Sequence, residues 1–189
     1  MTSQRYYDQE FKALPKNELK KGTYENCTFS HCDFFEINLL DFVFSECEFN
    51  DCNLSSAKLT NTAFRDVQFN NCKLLGMSFE ECNDFLFSIQ ATNSLFDFSS
   101  FYKKNLKKVK FNNCSFKEVD FSESDLSNTT LAQCELLGAV FDRTNLEKSD
   151  LRTAYNYIIN PENNRISKAK FTLSGIAGLL VQHNIIIES

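Results

Sequence analysis

The 189-residue chain lacks tryptophan and is poor in the residues that build tight turns, with five glycines and two prolines. It also lacks an apolar run near the ~18 residues that cross a membrane, and a charged segment followed by an apolar one that would direct export. We therefore expect a cytoplasmic protein that is neither exported nor bound to a membrane. The length fits a single domain with a core of its own.

Histidine is scarce as well. The chain has two, His31 and His183, and neither lies near a plausible pair of nucleophile and base. The sequence also has no glycine-rich loop that would hold a phosphate group. We therefore expect a protein that is not an enzyme and that needs no cofactor.

The charge of the chain is unevenly distributed. The net charge is −5, but residues 22–81 hold ten acidic and three basic side chains, which gives this third of the chain a charge of −7. Such a surface repels nucleic acid. We therefore expect no direct nucleic-acid binding.

Phenylalanine is abundant, with 20 residues, and much of it recurs at a period of five. Steps of five from Tyr24 to Phe79, and again from Phe96 to Leu151, meet 13 Phe, 10 Leu and one Tyr at 24 positions. A period of five fits neither an α-helix nor a strand. Four sides of five residues would close a square coil, and successive coils would pair as parallel β-ladders. The two runs differ in phase by two residues, which predicts a two-residue slip within residues 80–95.

The residue two before each central one should also point inward, since extended residues two apart share a face. All eight cysteines occupy this register, so we expect them to be small structural residues that line the core. They are Cys27, Cys32, Cys47, Cys52, Cys72, Cys82, Cys114 and Cys134. Lys104 occupies the same register, so either the coil bulges there or the side chain extends outward.

Cys27, His31 and Cys32 have a spacing that could suggest half of a zinc site. The repeat directs both cysteines inward and His31 outward, and the other histidine is far away in sequence, so we expect no metal site. Cys32, Cys52 and Cys72 should stack at intervals of 20 residues. Side chains in register on parallel strands are poorly aimed for disulfides, and cytosolic thiols stay reduced, so we expect free thiols.

Units such as CTFSH, CEFND, SDLSN and SDLRT resemble the pentapeptide repeat, whose usual form is A(D/N)LXX. The resemblance covers about residues 20–155, with Cys replacing the usual Ala and with more Phe than Leu. It implies an all-β fold, a right-handed quadrilateral parallel β-helix. The family includes quinolone-resistance proteins that mimic DNA and bind DNA gyrase or topoisomerase IV, and many members without an assigned role.

The ends of the chain depart from the repeat. We expect residues 1–19 to form an N-terminal cap, residues 20–155 the β-helix, and residues 156–189 a C-terminal cap or dimerisation element. In the last segment Ser174 can cap a short helix that ends at Asn184, followed by a strand at residues 185–187. This tail resembles that of the quinolone-resistance branch, which implies a homodimer through Ile176, Leu179, Leu180, Ile185 and Ile187. The alternative is that the tail only covers the last coil.

These features predict a non-catalytic interaction rod. About seven coils spaced by about 4.8 Å give a rod of ~34 Å, and two rods joined at their C-termini approach the length of about 20 base pairs. One hypothesis is electrostatic mimicry of DNA towards a type II topoisomerase, through an acidic surface of Glu25, Asp33, Glu36, Asp41, Glu46, Glu48, Asp51 and Asp66. The alternative is a structural scaffold for another partner. The basic run at residues 103–110 favours that alternative, because a duplex mimic should be acidic along its whole length.

Overall fold

The computed structural model describes residues 4–186, and its strands are short and pair in parallel. A four-stranded sheet has the order β1-β3-β5-β7, and a seven-stranded sheet has the order β11-β10-β9-β8-β6-β4-β2. The strands are β1 (Gln4–Tyr7), β2 (Glu10–Lys12), β3 (Gly22–Glu25), β4 (Thr28–Ser30), β5 (Val43–Ser45), β6 (Glu48–Asn50), β7 (Ala63–Arg65), β8 (Val67–Asn70), β9 (Ile89–Thr92), β10 (Lys110–Asn112) and β11 (Thr130–Ala132).

The pairing register confirms the predicted square coil. Phe29 pairs with Phe49 and Phe49 with Phe69, so the chain returns to the same face after 20 residues. The sides that hold no long strand pair through isolated parallel bridges, such as Asp33 with Asn53 and Asn38 with Lys58. The fold is the expected all-β quadrilateral parallel β-helix.

We number the four faces of the coil by their central residues. Face 1 contains Tyr24, Phe44, Phe64, Leu106, Leu126 and Leu146; face 2 contains Phe29, Phe49, Phe69, Phe111, Leu131 and Leu151; face 3 contains Phe34, Leu54, Leu74, Phe96, Phe116 and Leu136; face 4 contains Leu39, Leu59, Phe79, Phe101, Phe121 and Phe141. All 24 side chains are buried.

Aromatic rings stack along the faces and meet edge to face across the corners. The ring centroids of Phe29 and Phe49 lie 4.7 Å apart at 11°, whereas Phe44 and Phe49 meet at 5.3 Å and 72°. Both geometries suit the quadrupoles of the rings. Phenylalanine therefore packs favourably both along a face and across a corner of the coil, which explains its abundance.

The two-residue slip lies at residues 84–87. Before it Asn83 donates to the carbonyl of Thr62, which is the regular bond, while beyond it Ser88 donates to Phe64. Val67 consequently pairs with Ile89, 22 residues later. Asp84, Phe85 and Leu86 bulge outward at the face-1 position of this coil, with Phe85 and Leu86 each 65% exposed, whereas Phe87 is half-buried and packs against the core.

Lys104 fills the space that this bulge leaves in the core. Its side chain is 1% exposed and points inward, so it does not extend to the surface. The coil bulges one turn earlier, at residues 84–87, and not at Lys104 itself. The Nζ atom donates to the carbonyl of Cys82 and to the carboxylate of Asp84, both at 2.7 Å, and lies 4.6 Å from the centroid of the Phe87 ring. A buried ammonium requires such partners.

The N-terminal segment continues the coil rather than only covering it. Strands β1 and β2 pair with β3 and β4, with Tyr6 against Tyr24 and Phe11 against Phe29. The ring of Tyr6 stacks on that of Tyr24 at 4.5 Å. This end of the rod therefore begins with an aromatic layer.

The coil also extends beyond residue 155, because Asn145 bridges to Arg165 and Asp150 to Lys170. The tail after it forms two 3-10 helices, Ile176–Leu179 and Val181–His183, instead of one continuous helix. Ser174 makes no side-chain cap, and Asn184 ends the second helix with a positive φ of 49°. Ile185 and Ile186 are not in a strand, and Ile187 lies outside the described residues.

Gly175 and Gly178, which both lie against Tyr157, explain why this segment is not a regular α-helix. The Gly178 carbonyl accepts a hydrogen bond from the Ile159 amide at 3.0 Å. A Cβ atom at this position would overlap the carbonyl oxygen of Tyr157. Glycine permits this close approach but weakens a helix. The tail therefore packs closely against the last coil.

No helix among residues 4–186 has the length and apolar composition needed to cross a membrane.

Candidate interaction surfaces

The residues that suggested a metal site do not converge. Cys27 and Cys32 are buried, whereas His31 sits on a corner with a positive φ of 54° and its Nδ1 lies 3.8 Å from Asp51. Among the described residues no group of three His, Cys, Asp or Glu side chains could hold a metal ion. The geometry follows from the repeat, which separates inward from outward positions.

The eight cysteines are buried free thiols, and all except Cys82 donate to a backbone carbonyl. The Sγ of Cys52 donates to the carbonyl of Phe29 at 3.4 Å, and that of Cys72 to Phe49 at 3.2 Å. Burial raises the pKa of the Cys47 thiol to about 12, so it remains a protonated donor at neutral pH. Protonated, buried thiols are poor nucleophiles.

Serine and threonine perform the same task at other inward positions. The hydroxyls of Thr62, Ser99 and Thr129 donate to the carbonyls of Leu39, Leu74 and Leu106, each at 2.8 Å. Each acceptor belongs to the central residue of the coil below. Small polar side chains at the inward positions therefore donate hydrogen bonds to the backbone in addition to filling little space. Sequence reasoning missed this role, although the recurrence of Cys, Ser and Thr at these positions signals it.

The predicted acidic surface is distributed around the whole rod. Glu25 and Glu46 lie on face 1, Glu48 on face 2, Asp33 on face 3 and Asp41 on face 4. Of the eight predicted residues, Glu48 is half-buried and the other seven are exposed. A hydrogen bond from Lys21, at 2.7 Å, is the main cause that lowers the pKa of Asp41. The structure brings these carboxylates together as a belt around the N-terminal half, not as one face.

The basic run at residues 103–110 points in three directions. Lys103 lies near face 4, with its Nζ 3.5 Å from the Glu123 carboxylate, and Lys104 lies in the core. Lys107, Lys108 and Lys110 are exposed where face 1 meets face 2. Three of these lysines therefore form a surface patch, and the other two do not belong to it.

The tail exposes apolar side chains. Of the predicted dimerisation residues, Ile176 is 39% and Ile185 55% exposed, while Leu179 and Leu180 are half-buried. Leu179 also packs against the core. Leu173 and Ile186 are 87% and 88% exposed. The segment thus covers the last coil with one side and presents apolar groups on the other.

Two family models match the sequence. The model described as pentapeptide repeats (8 copies) matches residues 27–66, and the one described as pentapeptide repeat region matches residues 62–141. Together they cover more than half of the 189 residues. The chain belongs to the pentapeptide repeat family. A comparison with curated proteins finds none whose sequence matches.

Solved structures of other pentapeptide repeat proteins share the fold. A trypsin-treated variant of QnrB1, a plasmid-mediated fluoroquinolone resistance protein, is 19% identical with a TM-score of 0.51, over 99% of each chain. HetL, a pentapeptide repeat protein involved in heterocyst differentiation regulation from the cyanobacterium Nostoc, is 14% identical with a TM-score of 0.47, over 90% of this chain and 86% of the other. At 19% identity the likeness to the QnrB1 structure concerns the fold alone.

Proposed function

We propose that this pentapeptide repeat protein is a non-catalytic rod that binds another protein through its charged faces. The observation that carries the proposal is the separation of chemistry between inside and outside. Most of the inward thiols and hydroxyls, and one lysine, are buried and bonded, while the described surface consists of parallel faces with unevenly distributed charge. A rigid charged surface of this kind suits protein recognition.

The specific partner that we propose is a type II topoisomerase, DNA gyrase or topoisomerase IV, bound by DNA mimicry with an effect on quinolone susceptibility. The acidic belt of the N-terminal half supports it, since the DNA-binding surface of such an enzyme is basic. The similarity in fold to a fluoroquinolone resistance protein makes this partner the first to test.

Supercoiling by gyrase, with and without a quinolone, tests the proposal. We expect micromolar wild-type protein to alter supercoiling or its inhibition. Replacement of acidic residues by lysine in E46K/E48K/D66K should abolish the effect, whereas E118K/D142K/E162K, the same charge change in the other half, should retain it. Absence of any effect of the wild-type rod would refute topoisomerase binding.

A scaffold for another partner is the second candidate. The exposed lysines Lys107, Lys108 and Lys110 favour it, because a basic patch halfway along the rod interrupts a negative band. In this alternative both charged halves contribute to binding, and the gyrase assay gives no response.

We further propose that the tail forms a homodimer through its exposed apolar side chains, which include Ile185 and Val181, the latter 53% exposed. Burial of such groups against a second copy related by a two-fold axis would stabilise the pair. Sedimentation of V181D/I185D in the full chain tests this. If that variant remains as dimeric as the wild type, the tail is not the interface.

A further inference from the structure

The edge between faces 1 and 2 carries a charge pattern that reverses halfway along the rod. Each coil contributes two outward residues to this edge, one on either side of the corner, and we call the whole set the edge strip. From the N-terminus the pairs are Asp8 and Glu10, Asn26 and Thr28, Glu46 and Glu48, Asp66 and Gln68, Ser88 and Gln90, Lys108 and Lys110, Asn128 and Thr130, Lys148 and Asp150, and Lys168 and Lys170.

Most charges of the edge strip are not neutralised within the protomer. Among residues 4–186, the five acidic side chains before the bulge form no ion pair, and neither do Lys108, Lys110, Lys148 and Lys168. Asp150 differs, with Arg152 at 2.7 Å and Lys170 at 3.8 Å. The strip is therefore acidic before the bulge and basic after it.

The pattern is antisymmetric about the coil that contains the bulge. One coil away from Ser88, Asp66 on one side corresponds to Lys108 on the other. Four coils away, Asp8 and Glu10 correspond to Lys168 and Lys170. Two and three coils away, charged residues correspond to neutral ones, with Glu46 and Glu48 opposite Asn128 and Thr130, so no charges of the same sign correspond. A two-fold axis through this coil, perpendicular to the rod, would therefore place the acidic residues one and four coils before the bulge opposite basic residues of another copy.

We propose that two copies of this chain associate side by side and antiparallel along the edge strip, with the two-fold axis at the bulge. A pattern that is complementary to its own reverse fits a second copy, whereas an unrelated partner requires no such symmetry. Several pairs acting together contribute where a single exposed pair contributes little.

The bulge supplies the apolar part of this contact. Phe85 and Leu86, each 65% exposed, lie on face 1 of the same coil as Ser88 and Gln90. The Arg65 guanidinium lies 5.3 Å from the centroid of the Phe85 ring and orients it. A residue near a two-fold axis lies opposite the same residue of the second protomer, or opposite one close to it. Phe85 and Leu86 of one protomer would therefore contact Phe85 and Leu86 of the other.

This contact is distinct from the tail dimer, and it does not require that the protein binds a topoisomerase. It uses the side of the rod, and it covers the acidic residues of one copy with the basic residues of the other. Self-association would consequently compete with any basic partner of the acidic half.

Two charge-reversal variants of the full chain test the pairing. E46K/E48K/D66K makes the acidic half basic, and K107E/K108E/K110E makes the basic half acidic. In the antiparallel arrangement each variant repels itself, while a mixture of the two restores both sets of attractive contacts. The variants, labelled with different dyes, are compared alone and mixed by sedimentation velocity in about 50 mM salt, where screening is weak, and in about 500 mM salt.

We expect the mixture to associate at least about tenfold more tightly than either variant alone, and this preference to vanish in high salt. The controls E118K/D142K/E162K and K58E/K73E/K117E, which make the same charge changes away from the strip, should associate as the wild type does. Equal association of each variant alone and of the mixture, as a tail contact would give, overturns the proposal. So does a wild-type chain that remains monomeric in low salt.

Discussion

The parts of the rod before and after the bulge have equivalent interiors and opposite edges. Before it, small inward positions are mostly cysteine, as in Cys52 and Cys72, and after it serine and threonine are more common, as in Thr129 and Thr144. Yet the sulfur of Cys72 and the hydroxyl of Thr129 bond to equivalent carbonyls, those of Phe49 and Leu106. The interior thus accepts either a thiol or a hydroxyl as the donor at these two positions.

The outward side chains face no comparable requirement. Glu46 and Lys148 occupy the same position on the edge, with similar φ angles of 52° and 59°, but have opposite charges. Packing and backbone bonds therefore determine the fold, whereas the charges that select a partner can vary without affecting it. This is why membership in the family establishes the architecture more firmly than the partner.

The largest effect should come from breaking the aromatic stack in either half. Phe49 stacks 4.7 Å from Phe29 and 5.3 Å from Phe69, and Phe116 stacks 5.0 Å from Phe96. We expect Phe49→Ala and Phe116→Ala each to lower the free energy of unfolding by about 3–5 kcal/mol, because each leaves a buried cavity. Urea denaturation measures the loss.

Phe35→Ala is the matched control, because that ring is 42% exposed and its removal leaves no cavity. A much smaller loss for Phe116→Ala than for Phe49→Ala would show that the interiors of the two halves are not equivalent.

A substitution at the bulge between the two halves should have the next largest effect on stability. Lys104→Met keeps an apolar stem but removes the donor to the Cys82 carbonyl, and a buried carbonyl without a partner costs about 1–3 kcal/mol. We expect this loss in denaturant, together with faster hydrogen exchange at the amide of Ser88, which bonds across the slip. The exposed neighbour Lys103→Met should leave both quantities near wild type, and equal effects of the two changes would contradict the role of Lys104.

Sequence reasoning could predict the coil because its requirements are local and recur every five residues. The positions of Phe and Leu fix what points inward, and all 24 such side chains are buried. The sequence could not show whether the Lys104 side chain points inward, because its orientation depends on the bulge one coil earlier. The tail was only partly predictable, because Gly175 and Gly178 press against Tyr157 and a period of 3.6 does not reveal that contact.

The candidate surfaces were harder to predict than the fold. A count of charges revealed the acidic third of the chain but could not divide its residues among four faces. The antisymmetric edge strip becomes visible only when residues 20 or 22 apart are aligned by the pairing register. A linear reading of residues 103–110 also joined lysines that the coil separates.

A smaller effect should follow from removing one buried hydroxyl donor in each half. Thr62→Val and Thr129→Val preserve the shape but remove the bonds to Leu39 and Leu106, so each should cost about 1–2 kcal/mol in urea denaturation. Thr62→Cys and Thr129→Cys should cost less, because a thiol performs this role elsewhere in the core. If cysteine is no better than valine at both positions, the proposed equivalence of thiol and hydroxyl donors fails.

The smallest effect concerns surface carboxylates, one in each half. A hydrogen bond from Lys21 lowers the pKa of Asp41, and one from Arg152 lowers that of Asp150. A depressed folded-state pKa stabilises the fold above the ordinary carboxyl pKa, and this contribution is lost as the pH falls through the folded value. Asp41 is exposed, and the half-buried Asp150 pairs with an exposed Arg152 at the surface. Solvent screening therefore makes the stability change small, and NMR titration of the carboxyl carbons measures the pKa shift better than unfolding does. We expect Lys21→Ala to raise the pKa of Asp41 alone and Arg152→Ala that of Asp150 alone, and unchanged titrations in both variants would show that these local pairs do not form in solution.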